Sequence, residues 1–143
     1  WLRGRGQQTP GRKPSWAHFQ AQLDHARRYG LDHHPGGLYN RGFENQPATD
    51  TAKVWWVQAE MLAALTDALT HRPNPAYATA LQQLIHFIRT YQTDPRDGIW
   101  LDTVTATGQP ARTAKAHSWK ANYHDVRAIV KFIEAFDRQP ESR

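Results

Sequence analysis

Two short segments recur in this chain at a spacing that excludes most folds. Asp32-His33-His34-Pro35-Gly36-Gly37-Leu38 aligns with Asp94-Pro95-Arg96-Asp97-Gly98-Ile99-Trp100. Gln46-Pro47-Ala48-Thr49-Asp50-Thr51-Ala52-Lys53 aligns, with one gap, with Gln109-Pro110-Ala111-Arg112-Thr113-Ala114-Lys115. The period is about 62 residues. Each unit reads as a helix, an Asp…Gly turn, a short hairpin and a second helix that begins just after a lysine. Such a unit cannot bury its apolar faces alone and needs neighbours stacked against it. Only about two units fit within 143 residues, and the chain starts at Trp1 rather than Met, so a fragment is expected. The natural architecture is a two-layer toroid of helix pairs or a helical solenoid. A four-helix arrangement with coincidentally similar turns is the alternative, and the shared Gln-Pro-Ala and Thr-Ala-Lys argue against it.

Local signals place the elements of an all-α domain with short β-hairpins between helices. Residues 1–14 have turn composition and read as a loop or frayed end. Residues 15–137 form the repeat domain, and 138–143 a tail. Ser15 can cap a helix to about residue 29, with Gly30 as its stop. The turn at 32–37 leads into an extended piece at Leu38-Tyr39. Asp50 or Thr51 opens a long helix to about residue 71, which Pro73-Asn74-Pro75 breaks, and a third helix covers about 76–91. After a turn at 94–98, residues 99–104 read as a strand and 107–110 as a turn. A last helix covers about 118–137.

Composition removes several classes of function. Hydrophobic residues make up 39% of the chain and charged residues 22%, the balance of a soluble globular domain. The absence of cysteine excludes disulfides and thiolate metal sites, and fits a reducing, cytoplasmic compartment. No apolar run approaches a membrane span. The net charge of +5 sits largely in Arg3, Arg5, Arg12, Lys13, Arg27 and Arg28. Most of these lie in a Gly/Gln/Pro-rich leader away from the aromatic residues, whereas a nucleic-acid surface interleaves the two, so no nucleic-acid partner is expected. His33 and His34 lie in a turn, and His18, His25, His71, His86 and His117 lack metal-ligand spacing. No metal site is expected, and no phosphate loop, nucleophile elbow or dinucleotide fingerprint is present.

The second helix of each unit carries the unusual residues. Around the first, Val54, Trp55, Trp56, Val57, Met61, Leu62, Leu65 and Leu69 are apolar on every side, the mark of a buried, inner helix. Glutamate is rarely buried there without a partner. Lys53, Trp56 and Glu60 fall on one helical face by spacing. The last helix has an apolar stripe of Trp119, Tyr123, Val126, Val130, Ile133 and Phe136, and opposite it Lys120, His124, Arg127, Lys131 and Glu134. Alone, the second stripe reads as a solvated face. Counted from the equivalent lysines, however, His124 falls nearly at the position of Glu60, which would aim an imidazole and a carboxylate into one cavity. A histidine held by a carboxylate moves protons near pH 7. An arginine one turn on can hold an anionic oxygen, and indole faces suit the C–H faces of sugars. Sugar chemistry by proton transfer is the expected function, and a non-catalytic module binding sugar or another chain is its rival.

Lys53-Val54-Trp55-Trp56-Val57-Gln58-Ala59-Glu60 and Trp119-Lys120-Ala121-Asn122-Tyr123-His124-Asp125-Val126-Arg127-Ala128 resemble the two C-terminal signatures of the N-acylglucosamine 2-epimerase superfamily. That group includes cellobiose 2-epimerases, mannose isomerases and related aldose–ketose isomerases. The Gly36-Gly37-Leu38-Tyr39 turn and the 94–100 segment also fit, and the resemblance covers about residues 15–137. It implies an (α/α)6 barrel, of which this chain would be the C-terminal third, with Trp1-Leu2 as the tail of the preceding inner helix. It implies a mono- or disaccharide substrate, no metal or redox cofactor, and two histidines sharing proton transfer at C2 of a ring-opened sugar. Carried across by motif, His124 would be one histidine, with Glu60 bonding the sugar or orienting a catalytic group. Trp55 or Trp56, with Trp119, would stack on the sugar, and Arg127 would bind an oxygen near the reacting carbons. The partner histidine would lie upstream of Trp1. The chain departs from many cellobiose epimerases at Asn122, where they carry proline, and at Asp125-Val126. An edge left bare by missing helices would favour a homodimer or aggregation.

Overall fold

The structure, a computed structural model, describes residues 15–137. The expected leader loop with its basic residues, the helix tail at Trp1-Leu2 and the tail 138–143 lie outside the described residues. The first helix, α1 (Trp16–Tyr29), starts as expected, with the Ser15 hydroxyl accepting from the His18 amide. It stops at Gly30, where any Cβ would come within 2.8 Å of the Ala26 carbonyl oxygen.

The repeat is written in hydrogen bonds. In the first unit Asp32 N–H donates to the Gly37 carbonyl, the His34 amide donates to Asp32 Oδ1, and Leu31 bridges Leu38. In the second, Asp94 N–H donates to the Ile99 carbonyl, the Arg96 amide donates to Asp94 Oδ1, and Thr93 bridges Trp100. The aligned lysines meet the aligned aspartates: Lys53 Nζ lies 2.6 Å from Asp32, and Lys115 Nζ 2.9 Å from Asp94. Gly37 adopts φ +84° because a Cβ there would sit 2.7 Å from the Phe87 ring.

Short strands follow each turn. β1 (Arg41–Gly42) pairs with β2 (Ala48–Asp50), and β3 (Lys53–Val54), β4 (Thr103–Val104) and β5 (Pro110–Arg112) form an antiparallel sheet that joins the two units. This corrects the expected helix start at Asp50 or Thr51. Lys53 and Val54 pair with Val104 and Thr103, so α2 (Trp55–His71) begins only when that pairing ends. Lys53 is therefore a strand residue turned inward, not a member of the face of Trp56 and Glu60. The expected strand over 99–104 shrinks to β4, because Ile99, Trp100 and Leu101 pair back with residues 92–94 and only Thr103 and Val104 join the sheet.

The helix α3 (Pro75–Phe87), capped by the Asn74 side chain, continues into a π-helical turn at Ile88–Gln92. The last helix, α4 (Tyr123–Phe136), starts five residues later than its periodicity predicts. His117 and Lys120 exchange backbone hydrogen bonds across Ser118-Trp119, closing a tight turn that a helix cannot accommodate. The core gathers on α2: Val57, Met61, Leu62 and Leu65 pack with Leu23 of α1 and Tyr77, Leu81, Leu84 and Phe87 of α3. Among the described residues, no helix is long and apolar enough to cross a membrane.

α4 lies against α2 with its polar stripe inward, reversing the reading of that stripe as solvated. Glu60 meets His124, and Asp67 meets Lys131 at 2.6 Å. Both pairs are 64 residues apart in sequence, so the two helices run parallel, as the second helices of successive units should. The apolar stripe faces outward, with Tyr123, Val126, Val130, Ile133 and Phe136 all exposed. Trp119 precedes the helix, and Lys120 is buried rather than on the polar face.

The Lys53 side chain has no solvent exposure, and its Nζ donates to Asp32 Oδ2 at 2.6 Å, the Gly36 carbonyl at 2.5 Å and the Ala106 carbonyl at 3.1 Å. All three ammonium protons are used. Removing the countercharge strands a buried cation, so Asp32→Asn should lower unfolding free energy by about 3–5 kcal/mol in urea titration. Asp94→Asn should be milder, because Lys115 is partly exposed and keeps Asp97.

Candidate active site

Glu60 stands on the sixth residue of α2, and His124 on the second of α4. Glu60 Oε1 lies 2.7 Å from His124 Nδ1 and also accepts from Arg127 Nη2. Partial burial pushes the Glu60 carboxyl up, but the hydrogen bonds and charges of Arg127 and His124 outweigh it and hold the group below its ordinary value. An ionised carboxylate only accepts, so Nδ1 carries the proton and, in the neutral ring, Nε2 carries the lone pair. Among the described residues Nε2 has no hydrogen-bond partner, and Glu60 Oε2 has none either. Glu60 and His124 keep 42% and 37% of their side-chain surface exposed, so a solute can reach both.

Aromatic rings flank the imidazole. The Trp56 ring lies 6.4 Å from it, tilted by 49°, and Tyr123 lies 5.3 Å away, edge-on. The Arg127 guanidinium sits 5.6 Å over the Tyr123 ring. Tyr123 was expected only in the apolar stripe; its adjacency to His124 in sequence was the available signal.

The tryptophans separate into two environments. Trp55, a candidate alongside Trp56 for stacking, is only 6% exposed and packs in the core. It follows β3 directly, and its ring lies 5.9 Å from that of His117, edge-on. Trp56 is 41% exposed on the side of His124. Trp119 is 85% exposed at the tip of the tight turn preceding α4. Arg127 commits Nη2 to Glu60, while its Nε is buried without a partner, so it acts on the carboxylate rather than offering a whole fork to a ligand.

A second imidazole–carboxylate pair was not anticipated. His117 Nε2 lies 2.7 Å from Asp102 Oδ2, and Asp102 is buried just before β4. Burial works to raise the Asp102 carboxyl, but bonds from His117 and Thr103 and the charges of His117 and Arg112 bring it below the ordinary range. Among the described residues no group of three His, Asp or Glu is placed to hold a metal ion. Two clefts along α3, one of about 210 Å³ lined by His33, His34, Gln83, His86 and Tyr91 among others, share no residue with the Glu60–His124 cluster.

Comparison with known proteins gives one family. A family model described as N-acylglucosamine 2-epimerase matches residues 7–128. A cellobiose 2-epimerase from Eubacterium cellulosolvens is 26% identical over 87 residues, which are 60% of this chain and 22% of that protein. The solved structure of cellobiose 2-epimerase from Bacillus thermoamylovorans superposes with a TM-score of 0.69 at 29% identity, covering 84% of this chain and 31% of that one. A D-mannose isomerase crystal structure shares the fold, with a TM-score of 0.67 at 21% identity over 80% of this chain and 29% of that one. The chain thus spans less than a third of the length of each.

Folding holds Asp32, Glu60 and Asp102 below their ordinary values of 3.8, 4.5 and 3.8. At acid pH the unfolded chain therefore binds more protons. The stability these groups supply is present above the ordinary values and lost as pH falls through the lower folded ones. The thermal midpoint should fall steeply below about pH 4. A midpoint unchanged between about pH 5 and pH 3 would contradict the network.

Proposed function

This chain belongs to the N-acylglucosamine 2-epimerase family, and on that premise we propose that it serves a carbohydrate 2-epimerase or aldose–ketose isomerase reaction. The observation that carries the reading is the Glu60–His124 pair, which commits Nδ1 and leaves the Nε2 lone pair of the imidazole uncommitted beside Trp56. In a ring-opened aldose the carbonyl at C1 acidifies the hydrogen on C2. His124 Nε2 takes that proton; the C2–H electron pair becomes the C1–C2 double bond, and the carbonyl oxygen takes up the negative charge as an enediolate. Returning a proton to the opposite face of C2 gives the epimer. Protonation at C1, with transfer of the O2 proton to the O1 oxyanion, gives the ketose.

Each neighbour has a part in this scheme. Glu60 fixes the ring through Nδ1–H and stabilises the imidazolium that forms, while Oε2 accepts from a sugar hydroxyl. Arg127 is a positioning residue that keeps Glu60 ionised. Trp56 and Trp119 offer apolar ring faces to the pyranose of a mono- or disaccharide. The second histidine implied by the family resemblance is not among residues 15–137 in a matching position, so activity is proposed for the complete barrel, with residues 1–143 alone nearly inactive. In that barrel the outward face of α4 is covered.

Deuterium uptake at C2 from heavy water, over mannose, N-acetylmannosamine and cellobiose, tests the reading in the complete protein. One of these sugars should exchange, and His124→Ala should slow exchange by about 10²–10⁴-fold, the usual contribution of a general acid–base group, while sparing sugar binding. Wild-type exchange in His124→Ala would sink the assignment.

A further inference from the structure

The His117–Asp102 pair sits outside the proton-transfer cluster, and its geometry leaves no freedom in the ring. Asp102 Oδ1 accepts from the Thr103 hydroxyl at 2.6 Å, and Oδ2 faces His117 Nε2 at 2.7 Å. As an ionised acceptor, Asp102 requires the proton on Nε2. The other ring nitrogen, Nδ1, then carries a lone pair, and it accepts from the Trp119 backbone N–H at 3.2 Å. Both nitrogens are committed, so this histidine has no lone pair for a substrate and no role as a second base.

What the pair holds is the turn that carries Trp119. His117 and Lys120 bond to each other through both backbone groups, at 3.1 and 3.0 Å, with Ser118 and Trp119 at the tip. The His117 ring stands edge-on to Trp55, at 80°. Lys120, wholly buried, extends beneath the turn; its Nζ lies 5.5 Å over the Trp55 ring and donates to the Lys115 carbonyl at 3.2 Å. Asp102 fastens the same region to α2, because its carbonyl accepts the Trp55 amide at 3.0 Å. A side chain that is 85% exposed has no packing of its own to fix it, so its placement depends on the backbone that bears it.

We propose that His117 and Asp102 form a positioning pair that fixes the Trp119 backbone and so holds its indole for sugar stacking beside His124. The identity of the ligand rests on the isomerase reading above. In that reading the pair acts on binding through Trp119 and leaves proton transfer to His124.

Kinetics and NMR on the complete protein test this together. Trp119→Ala should raise KM for the exchanging sugar about five- to tenfold, the scale of one aromatic contact, with kcat within about twofold. His117→Ala should raise KM in the same direction, and the double variant should be no worse than Trp119→Ala alone. His117→Asn, whose Oδ1 can accept from the amide two residues on, should recover part of the loss. Additive effects in the double variant, a kcat loss at unchanged KM, or wild-type KM in His117→Ala would overturn the proposal. The second arm needs no sugar. Long-range ¹H–¹⁵N spectra should show His117 protonated at Nε2, and ¹⁵N relaxation should show the Trp119 amide loosening in His117→Ala. An Nδ1–H ring or an unchanged amide overturns the positioning role whatever the reaction. Absence of C2 exchange with both NMR results as expected would instead overturn the isomerase reading, and the sugar role of Trp119 with it, leaving a turn clamp.

Discussion

The ammonium group of Lys53 is the interaction on which the two-unit architecture turns. It is fully withdrawn from water and bonded to the Asp32 carboxylate and Gly36 carbonyl of the first unit and to the Ala106 carbonyl of the second. Burial pulls its pKa below the lysine range even with Asp32 opposite, so desolvation is the larger of the competing effects. Such a pair contributes little net stability relative to a packed apolar substitute, but it penalises every arrangement that leaves it unmatched. Only one placement of the 32–37 turn, the β3–β4–β5 sheet and the start of α2 offers all three acceptors at once. Specifying that placement is its physical role.

The second unit uses the same parts with a different balance. Lys115 reaches Asp94 and Asp97 near the surface; Arg96 first, and Lys115 after it, hold the Asp94 carboxyl below its ordinary range, while Lys115 and Asp97 stabilise each other's charged forms. The chain after Lys115 does not enter a helix within two residues, as it does after Lys53. It makes the 117–120 turn first and begins α4 at Tyr123. That turn sets where α4 starts, and it carries the aromatic side chain that leads into the helix.

This difference also marks where sequence reading succeeds and where it stops. The repeat, the caps of α1 and α3, the Asp…Gly turns and the convergence of α2 and α4 on Glu60 and His124 are legible, because each depends on local chemistry or on periodicity. The starts of α2 and α4 are not: Lys53 and Val54 pair with residues far along the chain, and His117 and Lys120 close a tight turn that local propensity does not reveal. The orientation of α4 is legible only through the repeat, which sets His124 against Glu60. Periodicity finds two stripes on a helix but cannot say which one meets its neighbour, and here Glu60 and Asp67 on α2 select the charged one. The split between Trp55 and Trp56 is legible from the helical face that Trp56 shares with Glu60, whereas His117 was invisible because its partner Asp102 lies on an unrelated strand edge.

In a repeat protein, the shared residues build the frame and the departures from symmetry carry what is distinctive. Asp32 and Asp94, or Lys53 and Lys115, are equivalents that hold turns. Glu60 and His124 are not equivalents in kind, and that mismatch lets them bond: a carboxylate on one parallel helix meets an imidazole on the next. Two carboxylates or two imidazoles at those places would repel when charged. The turn inserted before α4 is likewise absent from the first unit, and it places Trp119 on the second unit while Trp56 serves the first. Parallel helices, set side by side by the frame, thereby bring an imidazole, a carboxylate and the Trp56 indole together from positions more than sixty residues apart.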